Sequence, residues 1–101
     1  MDIQVLTKRI KEISDIYAEK FDISRDDNWY VLKLQEEMGE LIQSYLMMSG
    51  QARKKDKNSD EIKNNFEHEV ADILCHILLL ADHYGIDLDT VVQKKWLDWK
   101  K

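Results

Sequence analysis

Apolar residues return every three or four positions through most of the chain, which is the period of an amphipathic helix. Ile3, Leu6, Ile10, Ile13 and Tyr17 mark a first helix ending near Lys20, and Phe21 to Arg25 reads as a connector. Asp26 or Asp27 can cap a second helix running to about Ser49. Val31, Leu34, Met38, Leu41, Tyr45 and Met48 form its expected core side, and Gly50 its stop. The stretch QARKKDKNSD, Gln51 to Asp60, has no periodicity and almost no apolar residue, so a solvated loop or frayed helix end is expected. Ser59 or Asp60 then caps a third helix reaching Tyr84, with Gly85 as its left-handed stop. Asp87 caps a short fourth helix carrying Val91, Val92, Trp96 and Trp99.

With no proline and only three glycines, helix breakers are scarce, and the prediction is an all-α chain of about four helices. Residues 1–101 show no internal repeat or boundary, so a single domain is expected. A chain this small buries only about two thirds of its unfolded surface alone, so partner subunits would add stability.

The third helix breaks its own pattern. FEHEVADILCHILLLA is apolar nearly all round, and such a helix is expected to be buried, yet it carries Glu67, His68, Glu69, Asp72 and His76. Glu69, Asp72 and His76 fall within about 60° of one another on a helical wheel, so Asp72 borders the core. A carboxylate there costs several kcal/mol of desolvation unless it is paired or binds a cation. The second helix offers a matching stripe in LKLQEEMGEL, where Glu37 and Glu40 are spaced i, i+3 beside Glu36 and Lys33. Two facing helices with such pairs would gather carboxylates around one point, a hard-cation site suited to Mg²⁺, with Mn²⁺ as a substitute.

The spacing Glu36-Glu37-Met38-Gly39-Glu40, followed after a spacer by Glu69-Val70-Ala71-Asp72, resembles the E-E-x-x-E and E-x-x-D pattern of the MazG-like all-α nucleoside triphosphate pyrophosphatases. The likeness extends to LKLQEEMGEL as that family's second-helix signature and to EVADILCHILLLADHYGIDL followed by Lys95. It covers about 60 residues from Tyr30 onward, less an insertion over Gln51 to Asn65, and the first helix matches only in character. The resemblance implies Mg²⁺-dependent hydrolysis of an NTP or dNTP to the monophosphate and pyrophosphate, serving nucleotide-pool housecleaning. This pyrophosphohydrolase reading carries the expectation of a homodimer or homotetramer. It further implies that Glu37, Glu40, Glu69 and Asp72 hold the metal. Glu36 is then a candidate to orient or deprotonate the attacking water, and Lys33 and Lys95 to meet the triphosphate. Where the family often has Asn, this chain has Trp99.

Trp29 lies on the acid-bearing side of the second helix and could stack a base, a role also open to Trp96 or Trp99 from a neighbouring subunit. His76 reads as a hydrogen-bonded core histidine, with an orienter of the acids or a metal ligand as alternatives, His68 and His83 as surface residues, and Cys75 as packing. Arg53, Lys54, Lys55 and Lys57 read as a solvated loop, with closure over phosphates as the alternative.

Competing functions remain open. The helix ADILCHILLLA also resembles phosphoribosyl-ATP pyrophosphohydrolase. A diiron bundle would need Glu-x-x-His on two helices, whereas this chain has Asp72 and His76 four apart, once. A non-enzymatic helical interaction module would use the acids and aromatics as a partner surface. The net charge of -5 argues against nucleic acid as a partner. The longest nearly apolar run, Val70 to Ala81, is too short and polar for a bilayer, so no membrane partner is expected. A lone cysteine and a charged, amphipathic MDIQVLTKRIKEI lead to a cytoplasmic expectation.

Overall fold

A computed structural model describes residues 2–53 and 57–100, which are helical with no strand among the described residues. The elements are α1 (Ile3–Lys20), α2 (Asp27–Met48), α3 (Ser59–His83) and α4 (Leu88–Val92). A π-helical turn, Gln93–Leu97, and a 3-10 turn, Asp98–Lys100, extend α4. Lys54 and Lys55 of the basic loop lie outside the described residues.

Local chemistry sets each boundary. Asp2 accepts from the amides of Gln4 and Val5 at 2.8 and 3.2 Å, and Asp26 from that of Trp29 at 2.8 Å. Asp87 caps α4 through the Thr90 amide as expected, but α3 is capped by Asn58, one residue before Ser59, through the Glu61 amide at 2.8 Å. Asn outcompetes Ser here because its carbonyl reaches the first free amides. At the C-termini, Gly50 and Gly85 adopt φ of 81° and 65°. The following amides, of Gln51 and Ile86, return to the carbonyls of Leu46 and Ala81 at 2.8 Å, which closes each last turn. α1 ends the same way with Asp22 at φ 52°, as the Ile23 amide donates to the Ala18 carbonyl.

α2 and α3 form an antiparallel hairpin: Tyr30 stacks on His83 at one end, and Tyr45 meets Phe66 towards the other. α1 crosses one side of it, tied near its end by Arg25, which donates to Ser14 and Asp15 at 2.8 and 2.6 Å. Ala18, Met47, Ile62, Leu78, Leu79 and Ala81 are the buried apolar residues. The resulting slab is 24 Å thick, close to two helix diameters. No helix among the described residues is long and apolar enough to cross a membrane.

Several positions expected to be buried are exposed. α2 buries only part of its aliphatic stripe: Leu34 and Leu41 are half-buried, but Val31, Met38, Tyr45 and Met48 are exposed, while Glu37 and Ser44 are buried. α3 is likewise exposed at Val70, Leu74 and Ile77, α4 at Val91 and Val92, and Trp96 and Trp99 are exposed on the π-helical and 3-10 turns, outside the fourth helix expected to carry them. α2 has one helix, α3, packed along its length, and the acid-bearing side of α2 is the side that meets it. On α1, Ile3, Leu6 and Ile10 are half-buried as the pattern requires, but Ile13 and Tyr17 are exposed where they border an open cleft.

Leu78, at 1% exposure the most enclosed large side chain, anchors the packing. Leu78→Ala should cost about 2–4 kcal/mol in urea unfolding, and Val5→Ala on the exposed side of α1 no more than about 0.5 kcal/mol.

Candidate metal centre

The antiparallel pairing of α2 and α3 places the five predicted acids in two trios that share Glu37, and does not set Glu37, Glu40, Glu69 and Asp72 around one point. One oxygen from each of Glu36, Glu37 and Glu40 lies within 4.8 Å of the others, and the same holds for Glu37, Glu69 and Asp72. Glu37 belongs to both groups. It is only 7% exposed, whereas Glu69 is half-buried and Glu36, Glu40 and Asp72 reach solvent. The acids sit at i, i+3 on each helix, so a single seam aligns them.

Glu37 is poorly compensated. Its Oε1 lies 3.7 Å from Lys33 Nζ and 3.8 Å from His76 Nε2, both beyond hydrogen-bond length, and its Oε2 has no partner. Glu69 Oε2 is buried without a partner as well. Burial, then the charge of Glu40, pushes the Glu37 carboxyl up to about 7. Burial, then Glu40 and Asp72, raises Glu69. Native buried polar atoms almost always have partners, so two orphan carboxylate oxygens in one cluster match a donor set for a hard cation.

Lys33 bonds Glu36 at 3.2 Å. Burial alone would lower its pKa, but the Glu36 hydrogen bond and the charges of Glu36, Glu37 and Glu40 raise it instead. His76 is pushed down, by burial first and by Lys33 second, and its ring meets that of Trp29 at 6.2 Å. A neutral imidazole thus stands between the indole and the acids. His83 is exposed, as expected, yet its Nε2 lies 2.6 Å from Asp27 and joins the ends of α2 and α3. Cys75 is half-buried, and burial raises its thiol pKa, consistent with packing.

Two clefts flank the acids. One, of about 470 Å³, has Glu37 and Asp72 at one wall, Trp29 and Lys33 beside them, and Ile10 and Tyr17 of α1 opposite. The other, of about 430 Å³, opens onto Glu36, Glu40 and Glu69. Trp29 and Lys33 therefore stand where the sequence put them. Lys95 does not: it is exposed on the turn after α4 and lines neither cleft. Arg25, read only as part of a connector, lines the larger cleft, and a lone arginine in a connector carries no pattern that could have marked it.

Compared with known protein families, curated proteins and solved structures, the chain matches none.

The raised Glu37 pKa has a signed consequence. Its folded value of about 7 lies above the ordinary 4.5, so its favourable contribution is complete below pH 4.5 and is lost as pH rises through 7. In metal-free buffer the stability of the parent relative to Glu37→Gln should fall by on the order of 3 kcal/mol across that window. His76, with its lowered pKa, contributes the opposite slope below its ordinary value of 6.5, and the comparison with Glu37→Gln separates the two. Urea unfolding of both proteins at several pH values measures the difference.

Proposed function

We propose that the chain is a divalent-cation-dependent nucleoside triphosphate pyrophosphohydrolase, cleaving an NTP or dNTP to the monophosphate and pyrophosphate. The observation that supports it most is Glu37, a nearly buried carboxylate with an unpartnered oxygen at the point shared by two acid trios. Glu37, Glu40, Glu69 and Asp72 would hold Mg²⁺, or Mn²⁺ in its place. When bound, the cation supplies charge neutralisation for the phosphates and polarises the scissile phosphoanhydride.

The remaining steps belong to the chain. Glu36 reaches solvent beside the acids and is suited to orient the attacking water and accept its proton, with Lys33 at 3.2 Å holding its carboxylate in place. Lys33 also offers positive charge to a phosphate oxygen at the mouth of the larger cleft. Trp29 and the apolar wall of α1 give a base and sugar a surface to pack on. Water adds at phosphorus, the anhydride oxygen leaves with the pyrophosphate, and no protein nucleophile is needed. Lys95 has no part in the site of a single chain. A cytoplasmic setting, where nucleoside triphosphates are held and a thiol such as Cys75 stays reduced, accords with this activity.

Pyrophosphate release should be measured over a panel of NTPs and dNTPs with Mg²⁺. Glu40→Gln and Asp72→Asn should each lower it by at least about 100-fold while far-UV circular dichroism keeps its helical signal. EDTA should abolish release, and added Mg²⁺ or Mn²⁺ restore it. Trp29→Ala should raise KM more than it lowers kcat. No release from any nucleotide, or release indifferent to EDTA and to both substitutions, would overturn the assignment, and turnover of phosphoribosyl-ATP alone would move it to that substrate.

A further inference from the structure

The larger cleft carries charge in two places. Lys33, Glu37 and Asp72 gather at the acid seam, and among the described residues Arg25 is the one further charged side chain on the lining. Most of the remaining wall is apolar or aromatic, with Ile13, Tyr17, Ile23, Trp29 and Leu79. Arg25 immediately precedes the N-cap of α2, and Trp29 follows within the first turn. From Asp27, at the start of α2, to Glu37 the helix rises about 15 Å. An extended nucleoside triphosphate spans a comparable length from its phosphates to its base. With phosphates at the acids and the base packed on Trp29, the edge of the base is turned to Arg25.

The guanidinium is held in place for such a contact. Its side chain is 19% exposed, Nη1 donates to Ser14 Oγ at 2.8 Å, and Nη2 donates to Asp15 Oδ1 at 2.6 Å. Two of the five N–H donors of an arginine are thereby engaged, and the others have no protein partner among the described residues. Asp15 already counters the charge, so Arg25 is better matched to neutral acceptors on a base than to a phosphate. An arginine offers donors only, which makes it selective between base edges. Guanine presents O6 and N7 side by side, both acceptors, whereas adenine sets an amino donor beside N7. An amino group facing the guanidinium would lose its water and gain no acceptor.

The geometry points to Arg25 as the residue that sets base specificity, selecting a guanine nucleotide through O6 and N7 of a base packed on Trp29. This rests on the pyrophosphohydrolase reading and adds a substrate class to it.

The test compares kcat/KM for pyrophosphate release from guanine, 7-deazaguanine, adenine and cytosine triphosphates, in ribose and deoxyribose form, with Mg²⁺. The parent should favour guanine over each of the others by at least about 5-fold, the lower end of what one arginine–guanine pair supplies. Arg25→Met keeps an unbranched stem and removes every donor, and should bring the preference to within about twofold of parity. Ser14→Ala loosens the tether while leaving Arg25, and should keep the preference, which a merely structural role for Arg25 would not require. If Arg25→Met does not fold, the parent decides alone, because 7-deazaguanine lacks only the N7 acceptor. No preference for guanine, equal turnover of the guanine and 7-deazaguanine nucleotides, or a preference that folded Arg25→Met retains would overturn the inference and leave the hydrolase reading standing. No release from any nucleotide would overturn both.

Discussion

The structure turns on one unresolved charge. Glu37 sits in the seam between α2 and α3, nearly removed from water, with one oxygen unpartnered and the other beyond bonding distance of Lys33 and His76. Removing a carboxylate from water costs several kcal/mol, and the surrounding carboxylates add to that cost. A chain can tolerate this by protonating Glu37, as the upward pKa shift records, or by placing a cation among the acids. The antiparallel hairpin that aligns the acids is thus destabilised by the same arrangement that suits it to a metal.

Setting the acids in the seam has a second effect. α2 presents one side to α3, and once that side carries Glu37 and Ser44, the side carrying Met38 and Tyr45 must turn outward. The burial of Glu37 and Ser44 and the exposure of Met38 and Tyr45 are consequences of one helix rotation. A cation held among the acids would relieve the cost of burying Glu37.

Much of this was legible in the residues. Helix periodicity and the aspartate and glycine signals located α1, α2 and α3 to within a residue or so, because caps and stops are set locally, whereas the fourth helix ends at Val92, short of the tryptophans it was expected to carry. The i, i+3 spacing of Glu37 with Glu40, and of Glu69 with Asp72, identified the acids that meet, since helix geometry fixes which side chains share a face. Periodicity could not tell which side of α2 the fold would bury. It reports a boundary between apolar and polar sides, and the aliphatic stripe was assigned inward on the ordinary preference of a single chain. Whether Lys95 lines the clefts depends on where α4 leaves the end of α3, which spacing along the chain does not encode. Arg25 and the α1 wall of the cleft arise from a tertiary crossing with no local signature.

The most direct measurement is Mn²⁺ binding followed by electron paramagnetic resonance, where free aqueous ion gives a sharp signal that binding suppresses. The parent should suppress it at neutral pH, with Mg²⁺ in excess restoring it by competition, and Glu37→Gln should leave most of the ion free while remaining helical. Equal signals from buffer, parent and variant would contradict the account, because the buried acids would then be holding no cation at all.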